Sequence, residues 1–257
     1  LKDTVAAACS IARHTAHDEF CGLADAALLA QEVPDLDLYH PWTLSVEQAI
    51  ELAKTCEAAA LQVDARITNS EGAGVSAQQS HFWAGNSRGF RGGYASSRHS
   101  LSVSPIAGRG NDMQRDFWYT SERDAKDMAR PEAVGRYAAE RALSRLKSRK
   151  IATCEVPVLF ENTLAAGLLG AYVQATSGGA LYRKATFLLD SLGQPVFPKH
   201  IDIIEDPHIL KGKGSAPFDD EGVLTRKRRV VKNGVVQGYF LSSYSARKLG
   251  MHTTGHA

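Results

Sequence analysis

The chain has 257 residues, 44% of them apolar, and a formal net charge of +2 from 30 Lys and Arg against 28 Asp and Glu. That is enough apolar material to bury a core in one large or two modest domains, and it argues against a disordered chain and against a globally basic nucleic-acid binder. Four scattered cysteines, Cys9, Cys21, Cys56 and Cys154, form no C-x-x-C pair, which fits reduced, mostly buried thiols in a reducing compartment better than a disulfide framework or a zinc knuckle.

No window approaches the roughly 18 uninterrupted apolar residues of a membrane span, so a chain free in solution is expected. Leu1 is not an initiator methionine and the chain stops at His256-Ala257 without a polar tail, so both ends read as cut. The small-residue run Val5–Ala12 reads as the end of a helix, and Pro34–Pro41 as an irregular connection bracketed by prolines. A helix follows, capped by Thr43 or Ser45 with Glu47 in its first turn, and Ala49, Ile50, Leu52, Ala53, Cys56, Ala59 and Ala60 recur at helical spacing. Between Asp64 and Thr120 short runs rich in Ser, Gly and Arg, such as 74–80, 81–87 and 92–104, suggest a multi-stranded antiparallel sheet. Pro131 in a first turn, then Val134, Tyr137, Ala138, Ala142, Leu143 and Leu146, marks an amphipathic helix to about Lys147.

The composition shifts over Ser148–Thr153, the expected boundary between residues 1–149 and 150–257. Val156–Phe160 reads as a short buried strand with Cys154 packed at its start, followed by a helix from near Asn162 to about Thr176 that Ser177-Gly178-Gly179 ends. Residues 222–232 and 235–242 read as strands joined by Asn233-Gly234, a strong hairpin signal, and Ser243–Leu249 as a last helix closed by Gly250.

Several constellations could carry chemistry. His14 and His17, three apart on a presumed helix, have metal-ligand spacing but read as a solvated face. His200 and His208 with Asp202, Glu205 and Asp206 could hold a cation, yet Pro198, Pro207 and interleaved Ile201, Ile203 and Ile204 suit a strand with one polar face. Arg226-Lys-Arg-Arg229 is the dense basic cluster; strand alternation splits it between two faces and no aromatic residues interleave, so a solvated edge is the better reading than a phosphate site. Gly178–Lys184 lacks phosphate-loop spacing and reads as a mobile glycine-rich segment shaping a groove. No G-x-S-x-G elbow is present.

Taken together, the blocks Asp35–Pro41, Arg66–Gly72, Ser177–Gly193, Leu210–Gly212, Ala216–Gly222, Ser242–Gly250 and Thr254–Ala257 resemble the PmbA/TldD family, specifically its PmbA (TldE) branch. The resemblance implies a two-domain α+β fold of antiparallel sheets with packed helices, and a cytoplasmic TldD/PmbA heterodimer that cleaves small or unfolded peptides; it also brings an older label, modulator of DNA gyrase. It further implies that the chain begins partway into the family's N-terminal domain and stops short of the end of its C-terminal domain.

In the TldD branch an H-E-x-x-x-H helix ligates metal. Here Glu161 falls at the first histidine, Asn162 at the glutamate and Ala166 at the second histidine. A methyl group has no lone pair for zinc and an amide is a poor base, so no metal and no catalytic residue are expected in this chain, and zinc is expected in a TldD-type partner. Glu161 and Asn162 are expected to cap the helix or bond backbone. Gly178, Gly179, Tyr182, Arg183, Lys184 and His256 are the candidate groove residues for a peptide. Rival expectations are a regulator acting on gyrase or DNA through Arg226, Arg228 and Arg229, and a homodimeric peptidase with metal at His200 and His208.

Overall fold

The structure, a computed structural model, describes residues 1–256, leaving only Ala257 of the closing block outside it. Its helices and antiparallel sheets form an α+β arrangement. Helix α1 (Lys2–His14) buries none of its residues. Thr15 turns extended and bonds back to the Ile11 carbonyl, so the helix stops before His17 and the two imidazoles do not share a helical face.

Helix α2 (Val46–Leu61) starts where Ser45 caps it: the Ser45 hydroxyl accepts from the Gln48 N–H at 3.2 Å and the Gln48 side chain accepts from the Ser45 N–H at 3.0 Å. This reciprocal box satisfies two backbone donors that the first turn leaves orphaned. Helix α3 (Pro131–Ser144) opens on its proline, which gives up no hydrogen bond at a position without an intrahelical partner.

The sheet between them corrects the expectation of many short strands. Two long strands, β1 (Ile67–Gly85) and β2 (Arg91–Ala107), run as one hairpin in continuous register from Ala73 opposite Val103 to Gly85 opposite Arg91. Alternation explains how Ser and Gly are tolerated: Val75, Leu101 and Val103 face the helices, while Ser76, Ser100 and Ser102 share the other face. The short strands β3 (Gln114–Arg115) and β4 (Trp118–Glu122) both pair with β2, which leaves β1 an edge. Leu101, Val103, Cys56, Ala60, Val134, Ala138 and Ala142 form the core under α2 and α3. Each fully buried Val or Leu there contributes roughly 1.5–3 kcal/mol.

Residues 156–160 do not form the buried strand that their composition suggests. Val158 is 67% and Leu159 98% exposed. No strand among the described residues pairs with this segment, so its backbone has no ladder to join. Cys154 is exposed with it, as are Cys9 and Cys21; only Cys56 is buried, where burial pushes its thiol up to about 11.

Helix α4 (Asn162–Ala175) buries Tyr172 alone and exposes Leu164, Leu168 and Leu169. The glycine pair after it is no mobile loop: Ser177 caps a five-residue helix, α5 (Gly178–Tyr182), and Gly178, Ala180 and Leu181 are buried. A second sheet, ordered β5 (Ile203–Glu205), β6 (Arg228–Lys232) and β7 (Val235–Val236), has shorter strands than expected. Its Asn233-Gly234 turn has both residues at positive φ, 50° and 79°, the backbone that this dipeptide favours. Helix α6 (Ser243–Lys248) is capped by Ser242 and followed by Gly250 at φ 64°.

Tyr172, Leu181, Val230, Val231, Val236, Tyr239, Phe240 and Leu241 form a second core. A third joins the two halves: Ala24, Leu29 and Ala30 and Phe90 of the β1–β2 turn pack with Phe218 and Val223. The Phe218 ring meets Phe90 edge-on at 5.0 Å and Tyr94 at 5.5 Å. This aromatic cluster holds the 207–222 loop against the end of the sheet and thereby builds the cavity described next.

Candidate functional site

Glu161, Asn162 and Ala166, the positions that the family resemblance sets against a metal-binding helix, have other contacts. Glu161 is the N-cap residue of α4, but its side chain makes no cap bond. Its carboxylate accepts instead from Arg141 of α3 at 2.7 Å, and the same guanidinium reaches Asp116 at 3.5 Å and lies 5.2 Å over the Trp118 ring. The Asn162 side-chain oxygen takes the Thr163 N–H at 2.9 Å, and Ala166 is exposed. The expected backbone role therefore holds for Asn162, whereas Glu161 ties α4 to α3.

These residues do not fit a zinc ion. One carboxylate already paired with an arginine, one amide and one methyl leave no ligand set. Among the described residues no group of three His, Cys, Asp or Glu converges to hold a metal anywhere. His200 and His208 do not provide one: the His208 ring bonds the Thr225 hydroxyl at 3.0 Å.

The six groove candidates do not line one cavity: Gly179, Tyr182 and Arg183 touch one another at α5, and His256 lies apart from them on the cavities that follow. Gly178 lies against Leu241 and Ser245, where a Cβ would overlap the Ser245 side chain, and its N–H bonds the Phe240 carbonyl at 2.8 Å. Gly179 lies beneath the Arg183 guanidinium, which also covers the Tyr182 ring at 5.2 Å; Tyr182 in turn meets Tyr244 at 5.8 Å. Lys184 is exposed at positive φ, 54°. His256 alone of the six lines the two cavities that follow. Its Nδ1 bonds Glu205, which also accepts from Arg228 Nε, and its ring stands edge-on to Phe240 at 4.8 Å. Among the described residues its Nε2 has no hydrogen-bond partner.

One cavity is apolar, about 270 Å³, bounded by Leu169 and Val173 of α4, Ile203 and Ile204 of the edge strand β5, Val230 and Phe240. A second, about 360 Å³, lies between the sheet end and the 207–222 loop, and shares Gly214 and His256 with the first. Acidic Asp219, Asp220 and Glu221 and basic Arg123 and Lys213 line it together with Tyr94 and Ser242. Asp219 is buried, and burial, reinforced by the negative Glu221 and Asp220, pushes its carboxyl up to about 6 despite the bonds from the Glu221 and Val223 N–H groups. Burial, with Arg98 beside it, pulls Arg123 below its ordinary value.

Sequence reasoning missed both Asp219 and Arg123. The Pro217-Phe-Asp-Asp-Glu-Gly222 stretch carries a local signal, an aspartate able to bond backbone two residues on, but nothing local places Arg123 on the same lining.

Three of the four residues of the basic cluster are paired, while Arg226 is exposed and takes part in no ion pair among the described residues. Lys227 reaches Asp206 at 2.7 Å, Arg228 binds Glu205, and Arg229 lies 3.6 Å from Asp202. Lys227 and Arg229 keep the solvent exposure expected of them, but β6 is the central strand of its sheet rather than an edge, and Arg228–Glu205 is a pair between neighbouring strands.

Residues 39–146 match the family described as PmbA/TldA metallopeptidase central domain and residues 153–257 the corresponding C-terminal domain. The chain belongs to the PmbA/TldD family, in its PmbA branch. It is 51% identical to Metalloprotease PmbA of Escherichia coli over 99% of this chain and 56% of that protein, and 46% identical to the Haemophilus influenzae Metalloprotease PmbA homolog over 100% and 57%. A crystal structure from Bacteroides thetaiotaomicron bearing the label modulator of DNA gyrase superposes with a TM-score of 0.89 at 30% identity, covering 95% of this chain and 57% of that one. The chain thus spans a little over half the length of the relatives it matches. The family and the α+β fold expected from the sequence both hold. No helix among the described residues is long and apolar enough to cross a membrane.

Proposed function

We propose that this chain is the non-metal-binding half of a cytoplasmic two-subunit peptidase, paired with a TldD-type subunit that carries the zinc, and that it helps enclose small or unfolded peptides. The observation that carries the reading is Glu161: the carboxylate standing where a ligand histidine would stand is held by Arg141, and Asn162 and Ala166 complete no donor set. The apolar cavity beside the edge strand β5 supports the peptide role, because a strand edge offers free backbone groups and the flanking Leu169 and Val173 offer apolar contact to alternate side chains. In this reading the chain divides near residues 148–153 into two domains, and the 39–146 and 153–257 matches are in keeping with that division.

The test is metal analysis and peptidase assay of the purified chain, alone and mixed with a TldD-type subunit. The reading requires no stoichiometric zinc and no chelator-sensitive cleavage from the chain alone, with activity in the mixture. Stoichiometric zinc with cleavage by the isolated chain refutes it. The rival reading on DNA, through Arg226, Arg228 and Arg229, has less support from the charges, since Arg228 binds Glu205 and Arg229 lies 3.6 Å from Asp202, leaving Arg226 as the one of the three outside an ion pair among the described residues.

A further inference from the structure

The 360 Å³ cavity beside the 207–222 loop has charged walls of opposite sign that do not neutralise each other. Among the described residues Asp219, Asp220, Glu221, Arg98 and Arg123 take part in no ion pair. On the basic side, Arg123 spends its guanidinium on the carbonyls of Ser97, Gly212 and Lys213, and Arg98, outside the lining, donates to the Lys213 carbonyl at 2.9 Å. The carbonyls take up only the terminal NH groups of Arg123, whose buried Nε has no partner among the described residues, and they leave both positive charges uncompensated. On the acidic side, Asp219 is only 5% exposed, and both of its backbone donors fall on one oxygen, Oδ1, at 2.9 and 2.8 Å. Its other oxygen has no donor among the described residues. Buried charges are ordinarily paired, because leaving one unpaired is costly.

The three consecutive acids do not converge into a metal site. What the cavity offers is acidic and basic side chains on one lining, in a volume at the lower end of the roughly 300–1,000 Å³ range of ligand pockets. We propose that this cavity binds a small zwitterion, an α-amino acid or dipeptide, with its ammonium against Asp219, Asp220 and Glu221 and its carboxylate toward Arg123, since Lys213 is already paired with Glu122 at 3.3 Å. Such a molecule supplies each wall with the charge it lacks, and a ligand with only one charge supplies half. Because the acidic wall belongs to the 207–222 loop and Arg123 follows from β4, the ligand also bridges the two halves of the chain. The inference stands apart from the peptidase reading: it needs neither a partner subunit nor metal.

The probe is glycylglycine, titrated calorimetrically into the intact chain beside N-acetylglycylglycine, which lacks the ammonium, and glycylglycinamide, which lacks the carboxylate. Saturable binding of glycylglycine is expected, weakened at least about tenfold by either cap, since each leaves one charged wall unpaired. Asp219→Asn is expected to weaken glycylglycine binding by at least about tenfold, whereas Lys232→Ala, at an exposed position of β6 outside the cavity lining, leaves it unchanged. The capped ligands keep the test independent of folding, and far-UV circular dichroism of Asp219→Asn checks that its loop is retained. Absence of saturable glycylglycine binding, equal binding of either capped form, or undiminished binding by a folded Asp219→Asn protein each overturns the proposal.

Discussion

Replacing Asp219 by Asn should change stability in a way that depends on pH, with a sign the structure fixes. In the unfolded chain the carboxyl has its ordinary value of 3.8; in the fold, burial raises it to about 6. The folded state therefore holds this proton more tightly than the unfolded state does. The stability this group contributes is fully present below about pH 3.8 and is lost as pH rises through about 6. Above that, the buried charge costs about 3 kcal/mol relative to the neutral form. Asparagine keeps the side-chain oxygen that accepts the Glu221 and Val223 N–H groups but cannot ionise. Urea unfolding of both proteins from pH 4 to pH 8 gives the difference directly. Other carboxylates, such as Asp64 and Asp206, whose values the fold lowers, contribute equally to both proteins and cancel. The variant should gain on the parent progressively between pH 4 and 7, by about 2–3 kcal/mol at the upper end. A difference that stays flat with pH, or a variant less stable than the parent at pH 7.5, refutes the reasoning.

Ser45→Ala removes the hydroxyl half of the α2 capping box and should cost about 1 kcal/mol in chemical denaturation, with an unchanged m-value. Gly135→Ala drives a Cβ into the Cys56 carbonyl where α3 crosses α2, and should lose about 2–3 kcal/mol by the same measurement; a neutral result would mean that the two helices are not in close contact. A double-mutant cycle of Arg141→Met and Glu161→Gln should return a coupling of about 1 kcal/mol, the modest value of a partly solvated pair, and zero coupling would release Glu161 for another role. Gly178→Ala should unfold the region around α5 and α6 rather than alter peptide binding alone, because its Cβ would strike the Ser245 side chain.

Where the signal is local, sequence and structure agree. Ser45, Pro131, the Asn233-Gly234 turn, Ser242 and Gly250 act within a few residues of themselves through backbone donors and special φ angles, and each does what its type predicts. The long hairpin was harder to read because its outward positions are Ser and Gly, and only pairing with β2 and packing of the opposite face make 67–85 one strand. Residues 156–160 show the reverse. Their composition is that of a strand, and a strand needs a neighbour that this segment does not find.

By itself the sequence determined the family, the helix boundaries set by caps and prolines, and the absence of histidine from positions 161, 162 and 166. Only the tertiary structure decided how charges are spent. Glu161 meets an arginine twenty residues earlier, Arg123 reaches carbonyls nearly ninety residues away, and Asp219 becomes hard to ionise because burial removes water that no local motif encodes. Caps and turns are satisfied by neighbours along the chain, whereas solvation and ion pairing depend on what folding brings alongside.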